Sequence, residues 1–192
     1  MMKFDVVIIG GGLAGMTAAT ELQQAGLKCA VVAEGLSLFN TSRQEFKAAG
    51  GTLLAGDRVV SGRFAEDRLA AVRTEKLGDV ELEAGSYVLA TGKYFSRGLV
   101  ADMDKVYEPL FGLDVEFDED RSAWFDASFS APQRFLAFGV KTRDGRALKD
   151  GKLIANLFPA GELLAGISSA QGDATELIKK SALEAAKAIR RN

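Results

Sequence analysis

The stretch VVIIGGGLAG at residues 6–15 drives an apolar, β-branched run straight into three glycines, and a fourth follows at Gly15. Gly10, Gly12 and Gly15 fit G-x-G-x-x-G, and each has a separate task. The first allows a tight exit from a strand. The second lets backbone approach a diphosphate with no Cβ between them, and the third lets a helix pack closely on the strand. The start of that helix, at Leu13 and Ala14, offers unpaired N–H groups and the positive end of a dipole to an anion. Glu34 comes 19 residues after Gly15, where a carboxylate accepts from a ribose 2′-hydroxyl and disfavours a 2′-phosphate. No Lys-Ser or Lys-Thr follows the glycines, which excludes a P-loop. The chemistry these residues suit is the holding of an adenosine diphosphate moiety, as in FAD or NAD.

Such a turn needs rigid elements on both sides of it. KFDVVII, residues 3–9, is continuous and β-branched, which predicts a fully buried strand. Leu13, Met16, Ala19 and Leu22 share one face of a helix over 13–25, and Gly26 stops it. KCAVVA, residues 28–33, predicts a second buried strand, so the unit has the size of a βαβ crossover. Next, LSLFNTS (36–42) reads as a loop and 43–49 as the end of a helix stopped by Gly50 and Gly51. TLLAGDRVV (52–60) reads as one strand. RLAAVR (68–73) and DVELE (79–83), turning at Leu77-Gly78, predict a hairpin or meander, SYVLA (86–90) another buried strand, and LIANLF (153–158) a short one.

Residues 93–152 are rich in aromatics and loops and show no helical period. The last helix is predicted over 174–189, with Asp173 and Glu176 spaced as a capping box and Ile178, Ala182, Ala185 and Ile189 as its buried stripe. Lys187, Arg190 and Arg191 sit where the helix dipole favours cations.

Bulk composition narrows the function. A chain of 192 residues with 47% hydrophobic and 26% charged residues suits one globular domain. A net charge of −2 gives no preference for nucleic acid or anionic membranes. The single cysteine, Cys29, lies in an apolar run and reads as a small core residue, which fits a reducing, cytoplasmic setting. No secretory signal or stretch of membrane-spanning length is expected. Histidine is absent, which excludes Ser-His-Asp triads, histidine general bases and His-ligated metals.

An NAD domain would continue with alternating strands and helices. This chain instead enters a meander and then places two further glycine turns after buried strands, ATG at 90–92 and PAGE at 159–162. Strand ends that stop at one sheet edge build a crevice for a long ligand, and three such turns in this order favour a flavin. Ala90, Thr91 and Gly92 are expected along the adenosine–pyrophosphate part, and Gly161 and Glu162 along the ribityl chain. Gly35 and Val60 complete the candidate cofactor-binding set with Gly10, Gly12, Leu13, Ala14, Gly15 and Glu34.

No residue set meets the requirements for catalysis. Arg97, Arg121 and Arg134 read as solvated surface charge before they read as substrate contacts. Trp124, Phe125, Phe129, Phe135 and Phe138 read as core or partner-facing residues.

With these residues in view, the chain resembles the two-dinucleotide-binding-domain flavoproteins and, more narrowly, the B subunits of anaerobic glycerol-3-phosphate dehydrogenase. FDVVIIGGGLAGMTAA, LKCAVVAEG, YVLATGKYFSRGLVAD, YEPLFGLDV, FSAPQRFLAFGV and NLFPAGELLAG carry the resemblance. It implies an α/β, FAD/NAD(P)-binding Rossmann-like three-layer fold: a parallel sheet with helices on one side and a β-meander on the other. It implies FAD or FMN as cofactor and a part in passing electrons from glycerol 3-phosphate oxidation towards a respiratory acceptor. It also implies a catalytic FAD subunit and an iron–sulfur subunit as partners, with a peripheral place at the inner face of the membrane. Two departures stand out. Family members are about twice as long, with the missing segment placing a joint near Asn40–Arg43 in a single domain spanning 1–192. The family also has a glycine-rich turn where this chain reads DATELIKK. A non-catalytic assembly module and an NAD-binding Rossmann protein are the alternative readings.

Overall fold

Side chains alternate along a strand, so an apolar run buried on both faces needs a packed layer above and below it. In the computed structural model, which describes residues 1–35, 40–128, 130–170 and 172–191, that demand is met on both sides. The chain runs β1 (Met2–Ile9), α1 (Leu13–Gln24), β2 (Cys29–Ala33), α2 (Asn40–Ala48), β3 (Thr52–Ala55), β4 (Val59–Ala65), β5 (Arg68–Thr74) and β6 (Glu81–Leu89). Short ladders follow, then a strand Leu157–Pro159 and α3 (Ala174–Ile189). The main sheet has the order β3-β2-β1-β6-β5-β4, with Leu157–Pro159 added beside β6. The pairs β3–β2, β2–β1, β1–β6 and β6 with Leu157–Pro159 are parallel, whereas β4–β5 and β5–β6 are antiparallel.

Val6, Ile8, Val31, Val88 and Phe158 point to one face and pack under Met16 and Leu22 of α1, Phe46 of α2, and Ala182, Ala185 and Ile189 of α3. Val7, Ile9, Val32, Tyr87 and Leu89 point to the other and pack under Leu69 and Val72 of the meander, with Leu99, Trp124 and Phe138 from the middle segment. The result is the α/β three-layer fold expected from the sequence. Asn156 ties the last strand to the meander: its amide accepts from Leu69 N at 2.8 Å and donates to Leu69 O at 2.9 Å. Cys29 is 1% exposed, and burial, aided by the Asp5 charge, pushes its thiol up to about 12, so it is an inert core residue. Among the described residues no helix is long and apolar enough to cross a membrane.

Several boundaries differ from the sequence expectation. The run 52–60 is two strands, broken at Gly56 (φ +70°), because the Asp57 carboxylate accepts from Arg58 N at 2.8 Å, Lys76 N at 2.9 Å and the Thr74 hydroxyl at 2.6 Å. Burial works to raise the Asp57 pKa, but these hydrogen bonds outweigh it and hold the carboxyl below its usual range. The runs 79–83 and 86–90 form one strand, β6, which serves both the meander and the parallel sheet. The run 153–158 splits into Lys152–Leu153 and Leu157–Pro159.

Of the expected loop 36–42, residues 36–39 lie outside the described residues, and residues 40–42 form the first turn of α2. Phe129 also lies outside them. The capping box is not made. Asp173 precedes α3 without a side-chain hydrogen bond to it, and Glu176 N donates to the Asp173 backbone carbonyl instead.

Candidate cofactor site

Two of the fingerprint glycines are required by the protein's own packing. A Cβ on Gly10, which has φ +111°, would lie 2.2 Å from Ala90 O, and a Cβ on Gly15 would lie 1.9 Å from Gly10 O. Gly12 is different. It is exposed, and among the described residues a Cβ built on it meets nothing within 4 Å. Gly12 is also the N-cap of α1, with no side-chain cap and no acidic residue in the first turn. The N–H groups at Leu13 and Ala14 therefore open the helix without a side-chain acceptor among the described residues. That is the donor set an anion needs.

The strand ends bring other candidates to the same corner. Gly10 N donates to Val32 O at 2.9 Å and Ala90 N to Ile9 O at 2.8 Å, so the exits of β1, β2 and β6 are in register. Thr91 Oγ1 is buried with no hydrogen-bond partner among the described residues. Gly92 has φ +73° and begins a turn in which Ser96 Oγ donates to Thr91 O at 2.7 Å. Glu34, after β2, is exposed, with Oε1 3.9 Å from the Arg58 guanidinium. Arg58 also holds Glu75 with two bonds of 3.1 Å. Val60, two residues beyond Arg58, is 47% exposed.

Gly161 sits deeper. Its φ is +77°, a Cβ would lie 2.6 Å from Ala14 Cβ, and its N–H donates to Ser181 Oγ at 2.9 Å. Its N–H therefore ties this turn to α3, and the missing Cβ lets α1 approach. Glu162 beside it is half-buried.

Two residues of this region were not singled out from the sequence. Arg43 Nη2 donates to Gly35 O at 3.0 Å and lies 3.3 Å from the point a Cβ on Gly11 would occupy. Its Nε has no partner among the described residues. Lys93 is buried and donates to Leu136 O and Ile167 O at 2.7 Å each. Burial pulls its ammonium down to about 8, with the Glu162 charge working the other way. The lysine in ATGK was the available signal for Lys93. Arg43 had none, since its place depends on how the chain returns from β2.

The fold therefore defines a class: an α/β protein of the flavin- and dinucleotide-binding kind, whose glycine turns gather at the carboxyl ends of the parallel strands. Comparison with known proteins narrows it. The family described as FAD binding domain matches residues 5–42 and 36–172. The chain belongs to this FAD-binding family, and FAD is the cofactor the family assigns it. It is 41% identical over 135 residues to the B subunit of anaerobic glycerol-3-phosphate dehydrogenase from Vibrio cholerae, covering 69% of this chain and 31% of that protein. The protein of the same name from Aliivibrio fischeri is 36% identical over 169 residues, covering 81% and 37%. The chain thus spans about a third of the length of the curated relatives it matches. A thioredoxin reductase from Gloeobacter violaceus shares the fold, with a TM-score of 0.62 at 13% identity, covering 100% of this chain and 95% of that one.

The residues present fit FAD at the diphosphate end. Among the described residues the helix start carries no side-chain cap and nothing crowds a Cβ at Gly12, and the guanidinium at Gly11 supplies a cation. Among the described residues no cluster of His, Cys, Asp or Glu could hold a metal ion.

Proposed function

We propose that this chain is the FAD-holding part of an oxidoreductase component like the B subunit of anaerobic glycerol-3-phosphate dehydrogenase. In that reading it relays electrons from glycerol 3-phosphate oxidation towards a respiratory acceptor. The observation that carries the reading is the open, uncapped N-terminus of α1 at Gly12, in a chain that matches the FAD-binding family over most of its length. Gly12, Leu13 and Ala14 would receive the diphosphate, with Arg43 as its counter-charge. Glu34 would accept from the adenosine ribose, with Gly35 and Val60 beside it, and Ala90, Thr91 and Gly92 would border the adenosine–pyrophosphate part. Gly161 and Glu162 would stand near the ribityl chain.

When bound, the flavin supplies the redox chemistry, and the chain's own residues bind and orient it. The buried Lys93 ammonium bridges the carbonyls of Leu136 and Ile167, and so fixes the loop after Gly92 against the approach to α3. No side chain is assigned a proton-transfer role.

The two stretches of the family match, 5–42 and 36–172, support a single domain with its joint near Asn40–Arg43. A catalytic FAD subunit, an iron–sulfur subunit and a peripheral site at the inner face of the membrane belong to this proposal.

The test is the colour of the purified chain. Flavin absorbance that survives gel filtration, with FAD identified by mass after denaturation, supports the reading. A colourless chain that refuses added FAD overturns it. NADH binding tighter than FAD would select a Rossmann dehydrogenase, and a stable partner complex without flavin an assembly module.

A further inference from the structure

Arg97 holds a backbone conformation with no local reason for an arginine. Its φ is +61°, in the left-handed region where a β-carbon crowds the backbone and glycine is favoured. The turn that imposes this is closed tightly. Gly98 N donates to Lys93 O at 2.9 Å, and a Cβ on Gly98 would lie 2.0 Å from Gly92 O. Glycine at 97 would relieve the strain, yet a guanidinium stands there.

Arg97 belongs to the lining of an open cavity of about 530 Å³, together with Arg121, Tyr94, Trp124, Phe125 and Phe135. The aromatic walls are fixed. Tyr94 Oη donates to Phe135 O at 2.8 Å, and the ring centroids of Tyr94 and Phe125 lie 5.6 Å and 4.8 Å from that of Phe135. Arg121 lies 4.6 Å over the Trp124 ring, and its Nη1 donates to Asp102 O at 3.0 Å. Phe125 remains 55% exposed.

Neither Arg97 nor Arg121 has an ion-pair partner among the described residues, whereas the nearby Arg134 is paired with Asp118 at 2.8 Å. Flat apolar walls suit a ring, and two exposed guanidinium groups at its rim, neither with a carboxylate partner among the described residues, suit an anion. We propose that this cavity binds a planar aromatic acid, its ring against Tyr94, Phe125 and Phe135 and its acid group on Arg97 and Arg121. The inference does not rest on the cofactor reading.

Trp124, the only tryptophan, stands in the cavity wall and provides the readout. The full chain is titrated with anilinonaphthalenesulfonate and with phenylnaphthylamine, which has the same rings without the sulfonate, and probe emission is followed on exciting Trp124. The proposal predicts one saturable site that takes the sulfonate about tenfold more tightly than the neutral probe. Arg97→Gly suits the local φ and keeps the fold, and should lower sulfonate affinity about tenfold while leaving the neutral probe unchanged. Arg121→Met should act in the same direction. Equal affinity for the two probes, or an Arg97→Gly chain that binds the sulfonate like the native one, overturns the proposal. Displacement of the probe by FAD overturns it too, because the cavity would then belong to the cofactor.

Discussion

The two faces of the central sheet are held by different means. On the helix side, small residues let backbones approach: Ala14, Ala18 and Ala19 of α1 and Ala182, Ala185 and Ala186 of α3 are all buried. Gly161 fills the gap that a Cβ would close. On the other side the core is aromatic, with Tyr87, Phe111, Trp124 and Phe138, and it is reached by segments with little regular structure. There, side chains satisfy backbone groups. The Glu108 carboxylate accepts from Leu110 N at 2.9 Å and Phe111 N at 2.8 Å, and Asp114 accepts from Asp150 N at 2.9 Å and Gly151 N at 2.8 Å. One face depends on close approach and the other on polar anchors, so each should fail in its own way.

The harshest way to break the helix side is at its tightest point. Gly15→Val places a side chain where even a Cβ lies 1.9 Å from Gly10 O, and should cost upwards of about 4 kcal/mol or prevent folding. Urea denaturation measures it. Leu22→Ala, at a fully buried position on the same helix, should cost about 3 kcal/mol.

On the opposite face, Glu108→Ala strands the Leu110 and Phe111 N–H groups and should cost about 2 kcal/mol. Its mark should be a loss of near-ultraviolet dichroism from Trp124 with the helical far-ultraviolet signal kept. Equal loss of both signals would remove the distinction between the faces.

Burial of Lys93 makes stability depend on pH. Its folded-state value, about 8, lies below the ordinary 10.5, so the unfolded chain binds this proton more tightly. The penalty for burying the charge is complete below pH 8 and fades as pH rises towards 10.5. Native stability should therefore climb relative to Lys93→Met over that window, as thermal unfolding at a series of pH values would show. A constant difference would mean that the ammonium keeps its ordinary affinity for protons.

The smallest effect expected concerns Asp173, an exposed carboxylate before α3 that makes no cap. Asp173→Asn should leave stability within about 0.5 kcal/mol. If α3 faces the flavin, it should also tighten FAD binding modestly in a fluorescence titration.

The same contrast explains what was legible in the sequence. β1, α1, β2 and α3 could be read because periodicity and glycine stops act within a few residues. The Gly12 corner was legible for the same reason. The break inside 52–60 was not, since it is made by Asp57 reaching Thr74 and Lys76 across the meander. Nor was the role of Lys93, whose carbonyl partners lie 43 and 74 residues away. Arg43 reaches Gly11 only through the path of the chain between β2 and α2, and no local pattern encodes that path.

The space before α1 is where we propose that the FAD diphosphate sits. The measurement that bears on it is equilibrium titration of Gly12→Val with FAD, followed by flavin fluorescence, because among the described residues no atom within 4 Å opposes a Cβ there. The expected result is a chain that still folds, its stability lowered only by the roughly 1 kcal/mol of a poorer N-cap, with an affinity for FAD at least about a hundredfold weaker than that of the native chain, the cost of losing several charge-assisted hydrogen bonds at once. A Gly12→Val chain that binds FAD as the native one does would contradict it.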